Sequence, residues 1–130
     1  MTYELWVLIW AAILGLVQVA IPPLAAMSRS GYAKWNAGPR DEPFDTGPMA
    51  GRLERAFNNF MQTFAFFAVI VIALAFAHKS SEVSVWGARV YLLARIVYVP
   101  LYAFGVTGVR SLAWITGTVG LVMCLVTLFV

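Results

Sequence analysis

Residues 52–77, RLERAFNNFMQTFAFFAVIVIALAFA, decide the fold, because a polar first half runs directly into an apolar second half. The uncharged apolar run Phe64–Ala77 has only 14 residues, whereas a helix needs roughly 20 to cross the hydrocarbon core of a bilayer. We therefore predict that the helix begins earlier and draws polar residues into the membrane or its inner interface. Unpaired polar groups are costly there, so we expect these side chains to face protein or water. The residues concerned are Arg55, Asn58, Asn59 and Gln62.

The whole 130-residue chain is strongly apolar, with 62% hydrophobic residues, 12% charged residues and a mean hydropathy of +0.82. Soluble domains carry about twice that share of charge. We predict one all-α integral membrane domain over residues 1–130. Its expected form is a four-transmembrane-helix bundle with spans at about 5–27, 53–77, 85–105 and 112–130. Short links make consecutive helices antiparallel, which gives an up-down-up-down order.

The first span contains Pro22 and Pro23, and prolines remove backbone donors, so we expect the helix to kink or fray there. The following stretch, residues 28–51, is the only long polar segment and is rich in Gly, Pro and charge. Such a composition is typical of a loop. We predict an extramembrane loop at this position.

Positive charge is unevenly distributed between the two sides of the predicted bundle. The side with the first and third loops has six cationic residues, whereas the side with the second loop has only Lys79 and Arg89. The six are Arg29, Lys34, Arg40, Arg52, Arg55 and Arg110. Because cytoplasmic loops carry the excess of Lys and Arg, we place loop 28–51 in the cytoplasm and both termini in the periplasm. The expected location is the inner membrane of a bacterium.

Several other kinds of site are excluded by composition. A net charge of +3 spread over the ends of apolar segments fits topology signals, so no nucleic-acid partner is expected. Cys124 is the only cysteine and lies in an apolar run, which leaves no disulfide framework. His78 is the only histidine, and we expect it to be solvated. We therefore predict no metal site.

Two polar stripes mark the candidate site. On the second span, Arg55, Asn59 and Gln62 have the spacing i, i+4, i+7 and share one helix face. On the third span the same kind of spacing relates Tyr91, Arg95, Tyr98 and Tyr102.

Arg95 lies near the middle of its span, where a lone arginine costs roughly 2.5 to 3.5 kcal/mol on insertion scales. It therefore needs a partner, and Glu54 is the nearest acidic residue in sequence. One interpretation is a purely structural network of hydrogen bonds and cation–π contacts. The other is a binding site for an anionic molecule, formed by Arg55, Arg95 and Arg110 at the cytoplasmic end.

Arg110 and Ser111 come just before the predicted fourth span. A bound anion would meet a guanidinium, a hydroxyl and the free amides of a helix N-terminus, and the same groups would favour a thiolate. An arginine that extends to the lipid headgroups is the alternative interpretation.

Two segments carry motifs that are spread over two helices and a loop. RLERAFNNFMQTFAFF, residues 52–67, has Arg-Ala followed by Asn, and RIVYVPLYAFGVTGVRS, residues 95–111, has an Arg, two later Tyr and an Arg-Ser pair. Both resemble motifs of the MAPEG family, the membrane-associated proteins of eicosanoid and glutathione metabolism. With the four-span layout, the resemblance covers nearly the whole chain. The chain is identified as a small bacterial-type member.

The resemblance implies a homotrimer that binds glutathione between subunits and passes it, as a thiolate, to lipophilic electrophiles or hydroperoxides. It implies a transferase or peroxidase in which Arg110 and Ser111 stabilise the sulfur. The implied glutathione-binding residues are Arg55, Asn59, Gln62, Arg95, Tyr98 and Tyr102, with Arg29 as the counterpart of a further family arginine.

The sequence departs from the family motif at two positions. Gln62 stands where the motif has Glu, and Phe66 stands where it has Pro. The first change removes a carboxylate that could pair with the glutathione amine. An alternative function therefore stays open, in which a non-enzymatic membrane protein binds a lipid headgroup or a partner protein in the same pocket.

Overall fold

The computed structural model describes residues 1–130 and consists of five helices with no strand. They are α1 (Tyr3–Ala26), α2 (Tyr32–Ala37), α3 (Pro48–Phe76), α4 (Glu82–Ala103) and α5 (Val109–Thr127). The all-α prediction is therefore confirmed. By length and apolar composition, α1, α3 and α5 are candidate membrane spans, whereas α4 is not. Its two arginines and three tyrosines lower its hydropathy.

Contacts at the two ends show that the long helices alternate in direction. At one end, the Ser80 hydroxyl donates to the carboxylate of Glu4 at 2.8 Å, and Lys79 Nζ donates to the Leu128 carbonyl at 2.8 Å. At the other end, Arg52 Nη1 donates to the Ala103 carbonyl at 3.3 Å. Both chain termini therefore lie at the end opposite to α2.

The first helix continues through its two prolines. It starts at the cap Thr2, whose hydroxyl accepts from the Leu5 amide, and it ends at Ala26, one turn beyond Pro22. The expected fraying at the proline pair is therefore wrong, whereas the alternative, a kink at the same place, stays a prediction. Proline keeps a helical φ, but it removes its own hydrogen bond and its ring crowds the carbonyl four residues earlier, so the last turn forms while the carbonyls of Gln18 and Val19 lose their helical donors.

The segment 28–51 is more ordered than its composition predicts. It contains α2 and the first turn of α3, which begins at Pro48 after Gly47. Proline at the first helical position is favourable because its missing amide would be unpaired there. The rings of Tyr32, Trp35 and Phe44 form a cluster with centroids 5.5 to 5.9 Å apart. This aromatic cluster packs with Ala26 and Ala50 and so holds α2 against the start of α3.

The bundle consists of two halves, α1 with α3 and α4 with α5, which pack more closely within each half than between them. Close packing of α4 on α5 depends on Gly87 and Gly120, where added Cβ atoms would lie 2.6 and 2.5 Å from the partner glycine's carbonyl oxygen. Between the halves, Phe67 stacks on Tyr91 with centroids 4.0 Å apart. The seam between the halves thus contains the contacts of α3 with α4.

Large apolar side chains cover the outside of this bundle. Phe66 is 65% exposed and Phe76 is 83% exposed, and Leu16, Leu93 and Ile115 point outward from the other helices. Water-soluble monomers rarely expose so much apolar surface. A lipid environment satisfies it, as the sequence predicts.

Candidate functional site

Arg95 forms the centre of a buried polar network between α3 and α4. It is 2% exposed; its Nη1 donates to Asn59 Oδ1 at 2.8 Å and its Nη2 donates to the Thr63 hydroxyl at 2.6 Å. The guanidinium carbon also lies 5.6 Å from the ring centroids of both Tyr91 and Tyr98. These contacts stabilise a charge that the membrane interior disfavours.

The partners of Arg95 differ from those suggested by the sequence. Glu54, the nearest acidic residue, makes no ion pair or hydrogen bond with it. Thr63 was missed, although it follows Asn59 by four residues and therefore shares its helix face. Its hydroxyl also lies 3.0 Å from the Tyr91 hydroxyl. A neutral network therefore encloses the arginine.

A second cluster lies at the end of the bundle that carries α2. Arg55 on α3 and Arg110 on α5 both contact the ring of Tyr102 on α4, with guanidinium carbons 5.8 and 4.4 Å from the ring centroid. Tyr102 is half-buried and Arg55 is exposed. Neither guanidinium has a carboxylate partner within the chain. Three helices thus bring two uncompensated positive charges to one aromatic ring.

The start of α5 adds backbone donors to this cluster. The helix begins at Val109, so Arg110 and Ser111 occupy its first turn, and the first helical hydrogen bond runs from the Leu112 amide to the Gly108 carbonyl. The amides of Arg110 and Ser111 therefore remain free, as expected for the first turn of a helix. Gly108 permits this geometry with φ +74°, a conformation that other residues rarely adopt.

Tyr98 connects the two clusters. It is buried on α4, and its ring lies 5.8 Å from that of Tyr102 and 5.6 Å from the Arg95 guanidinium carbon. A continuous chain of contacts therefore runs from Asn59 through Arg95, Tyr98 and Tyr102 to Arg110. This chain includes five of the sequence-predicted site residues.

Three other predicted site residues are not brought into these contacts. Gln62 is exposed on α3 and makes no hydrogen bond within the chain, and the Ser111 side chain is also exposed and unbonded. Arg29 lies in the turn after α1, where its Nη1 is 3.9 Å from the carboxylate of Asp45. Arg29 therefore forms a separate, loop-based ion pair. No group of acidic, histidine or cysteine side chains is arranged to hold a metal ion.

Comparison with known families connects this arrangement to a described group. A model of the MAPEG family matches residues 7–130, which is nearly the whole chain. The chain belongs to the MAPEG family. No curated protein and no solved structure matches it. Family membership and the apolar helices together make it an integral membrane protein of the glutathione and eicosanoid metabolism type.

Proposed function

We propose that this MAPEG protein is a glutathione-dependent transferase or peroxidase that acts on lipophilic electrophiles or hydroperoxides. The observation that carries the proposal is the pair of guanidinium groups, Arg55 and Arg110, that both contact Tyr102. Glutathione offers two carboxylates and a thiol that ionises, and arginine recognises carboxylates through paired hydrogen bonds. The charge of the site suits this ligand.

Arg110 and the free amides of the first turn of α5 provide the chemistry for the sulfur. A positive side chain and a helix N-terminus both stabilise a thiolate relative to a thiol. The thiolate then attacks the electrophilic atom of the second substrate, whose leaving group departs with the bonding electrons. With a hydroperoxide, two glutathione molecules supply two electrons and become a disulfide, while the hydroperoxide yields an alcohol and water.

The exposed apolar surface beside the cluster is suited to the second substrate. Val109 and Leu112 flank Arg110 and Ser111, and both are exposed. A lipophilic molecule dissolved in the bilayer can reach this surface without crossing water. Arg95 and Asn59, which bind each other, act as positioning residues that fix Tyr98 and Tyr102 in this proposal.

A homotrimer and a fourth span complete the proposed arrangement. Arg55, Asn58 and Gln62 form an exposed polar stripe on α3 with no hydrogen bond inside the chain. A neighbouring subunit would shield this stripe from lipid, where unpaired polar groups are costly. The α4 helix packs against α1, α3 and α5, and its Arg95 is buried in the bundle. We therefore include α4 as a membrane span as well, which gives each subunit four spans.

Two measurements on the detergent-purified protein test the proposal. Calorimetry measures glutathione binding, and ultraviolet absorbance measures formation of the thiolate. We expect Arg55→Ala to weaken binding by at least about tenfold, because it removes a charge-assisted contact. We expect Arg110→Ala to abolish the thiolate signal and to retain part of the binding. Arg89→Ala is the matched control, since Arg89 also contacts aromatic rings, at 4.5 and 4.9 Å, but at the opposite end.

Equal glutathione binding by the parent and all three variants would show that the cluster around Tyr102 is not the glutathione site. A folded protein with no affinity for glutathione would instead favour the alternative, a non-enzymatic protein that binds a lipid headgroup or partner protein at the same place. The observation behind the alternative is Gln62, an exposed amide where the family motif has Glu. A phosphate-bearing lipid that copurifies and is lost in Arg55→Ala would support it.

A further inference from the structure

A separate polar cavity lies between α1, α2 and the start of α3. Its volume is about 420 Å³, and it is lined by residues from four parts of the chain. The lining includes Gln18 on α1, Arg40 after α2 and Glu54 on α3. None of them belongs to the Arg95 network or to the cluster around Tyr102. The cavity is therefore distinct from the candidate glutathione site.

Gln18 is an unpaired amide at the wall of this cavity. It is 3% exposed, and neither its Oε1 nor its Nε2 has a hydrogen-bond partner. Buried side-chain amides are almost always bonded, because an unpaired donor or acceptor keeps the full cost of losing water. Gln18 also lies eight residues before the end of α1, which places it roughly 12 Å along the helix. Gln18 therefore has an unpaired donor and an unpaired acceptor at the cavity wall, well inside the end of α1.

Arg40 presents a positive charge to the same cavity in a constrained conformation. Its φ is +58°, which is uncommon for a residue with a side chain. Its Nε donates to the Asn36 carbonyl at 3.0 Å and its guanidinium carbon lies 5.8 Å from the Trp35 ring centroid. The two Nη groups make no hydrogen bond within the chain. An observed backbone outlier of this kind is a reason to look for function.

Glu54 places a negative charge on the same cavity. It is exposed, and no cation of the chain lies within ion-pair distance of its carboxylate. It precedes Arg55, but consecutive residues of a helix point about 100° apart. Arg55 contacts Tyr102, whereas Glu54 lines the cavity next to α1. The cavity thus offers one free cationic group, one free anionic group and one unpaired amide.

We propose that this cavity binds the headgroup of an aminophospholipid, a phosphate joined to a primary ammonium. Arg40 pairs with the phosphate and Glu54 with the ammonium. The Gln18 side chain, whose Oε1 and Nε2 are buried and unpaired, turns toward the headgroup on binding, so that Nε2 donates to a phosphate oxygen and Oε1 accepts from the ammonium. A primary ammonium has three N–H donors, which a quaternary ammonium lacks.

The position of the cavity favours a lipid over a soluble zwitterion. Val19 and Pro23 line it and are exposed on α1, which is a candidate membrane span. The charged groups come from the polar segment 28–51 and the start of α3. A headgroup in the cavity therefore leaves acyl chains free to follow the apolar surface of α1.

Native mass spectrometry of the full chain, exchanged into nanodiscs of defined composition, tests this inference. We expect phosphatidylethanolamine to be retained at least about tenfold more than phosphatidylcholine or phosphatidylglycerol, as expected when a charge-assisted contact is lost. Glu54→Gln should remove the preference, whereas Arg40→Gln should lower the retention of all three lipids, because each of them carries a phosphate. Asp41→Asn and Lys34→Gln are matched controls, since they make the same charge changes nearby but lie outside the cavity.

Gln18→Leu separates a binding role from a structural one. We expect this variant to lose retained phosphatidylethanolamine and yet to melt at a higher temperature in lipid-free detergent, because an unpaired buried amide is gone. A variant that loses stability and keeps the lipid preference would overturn the role of Gln18.

Two results would overturn the proposal as a whole. One is equal retention of the three lipids by the parent protein. The other is binding of free phosphoethanolamine, abolished by Glu54→Gln, without any retention of the lipid, which would assign the cavity to a soluble zwitterion. Arg55→Ala, which removes the proposed glutathione site, should leave the lipid preference unchanged, so the two proposals fail separately.

Discussion

Arg95 on α4 donates a hydrogen bond of 2.8 Å to Asn59 on α3, and this bond joins the two halves of the bundle at a buried position. The partner is a neutral amide, so the positive charge is solvated but not cancelled. Thr63 and the rings of Tyr91 and Tyr98 also contact the guanidinium, whereas its Nε has no hydrogen-bond partner. The stability of the protein therefore depends on side chains that also support the candidate site.

Asn59→Leu should destabilise the folded protein by about 2 kcal/mol, because a buried hydrogen bond to a charged group is lost. Asn58→Leu is the matched control, since Asn58 is exposed and makes no hydrogen bond within the chain. Unfolding by denaturant in detergent measures both. Equal effects of the two substitutions would show that the Arg95 contact contributes nothing specific.

Gly120→Ala should destabilise the packing of α4 on α5 by about 1 to 3 kcal/mol, as an added methyl group in a tight interface does. Its Cβ would lie 2.5 Å from the Gly87 carbonyl oxygen and 2.7 Å from the Tyr91 amide nitrogen, which are backbone atoms that cannot rotate away. Gly117→Ala is the control, because its nearest neighbour is the Ala94 Cβ at 3.3 Å. Thermal melts that rank the two glycines in the reverse order would contradict the close approach of the two backbones at Gly120.

Glu4→Ala should destabilise the opposite end of the bundle by about 2 kcal/mol, since it removes the hydrogen bonds that the Ser80 and Ser84 hydroxyls donate to a buried carboxylate. The carboxylate of Glu4 accepts from Ser80 at 2.8 and 3.0 Å and from the Ser84 hydroxyl. Glu42→Ala removes an exposed carboxylate and should change stability by less than about 0.5 kcal/mol. The comparison uses the same denaturant assay, and a similar loss in both variants would mean that the Ser80 and Ser84 contacts are weak.

A reporter fused after Val130 tests the proposed orientation when the protein is expressed in the inner membrane of a bacterium. The end of the bundle that carries α2 has the greater number of Lys and Arg, so we expect it in the cytoplasm and both termini in the periplasm. Alkaline phosphatase at the C-terminus should then be active, because it folds only outside the cytoplasm. An inactive phosphatase together with a fluorescent cytoplasmic reporter at the same position would reverse the orientation.

The helical architecture could be predicted from the sequence because apolar runs and short links are local signals. The site could be predicted only in part. Spacing on one helix correctly placed Arg95 beside tyrosines, but it could not reveal that Asn59 and Thr63 bind the guanidinium, because those contacts depend on how α3 and α4 are rotated about their axes. The meeting of Arg55 and Arg110 on Tyr102 likewise needs the packing of three helices.

The segment 28–51 was the least predictable part. Its glycines, prolines and charges indicate a loop, yet Tyr32, Trp35 and Phe44 gather into a cluster that orders α2. Contacts among residues so close in sequence carry no periodic pattern. The cavity of Gln18, Arg40 and Glu54 could not be predicted for a different reason, since its lining comes from separate parts of the chain with no common spacing.

The order of the helices along the chain has a consequence for membrane insertion. In the proposed four-span arrangement, α3 leaves the ribosome before α4, so Asn59 and Thr63 are already in the bilayer when the segment with Arg95 arrives. Arg95 can therefore form its hydrogen bonds to Asn59 and Thr63 as it enters the bilayer, and its charge is not exposed to lipid without a partner. A circularly permuted chain that begins with α4 would have to insert that charge before its acceptors exist.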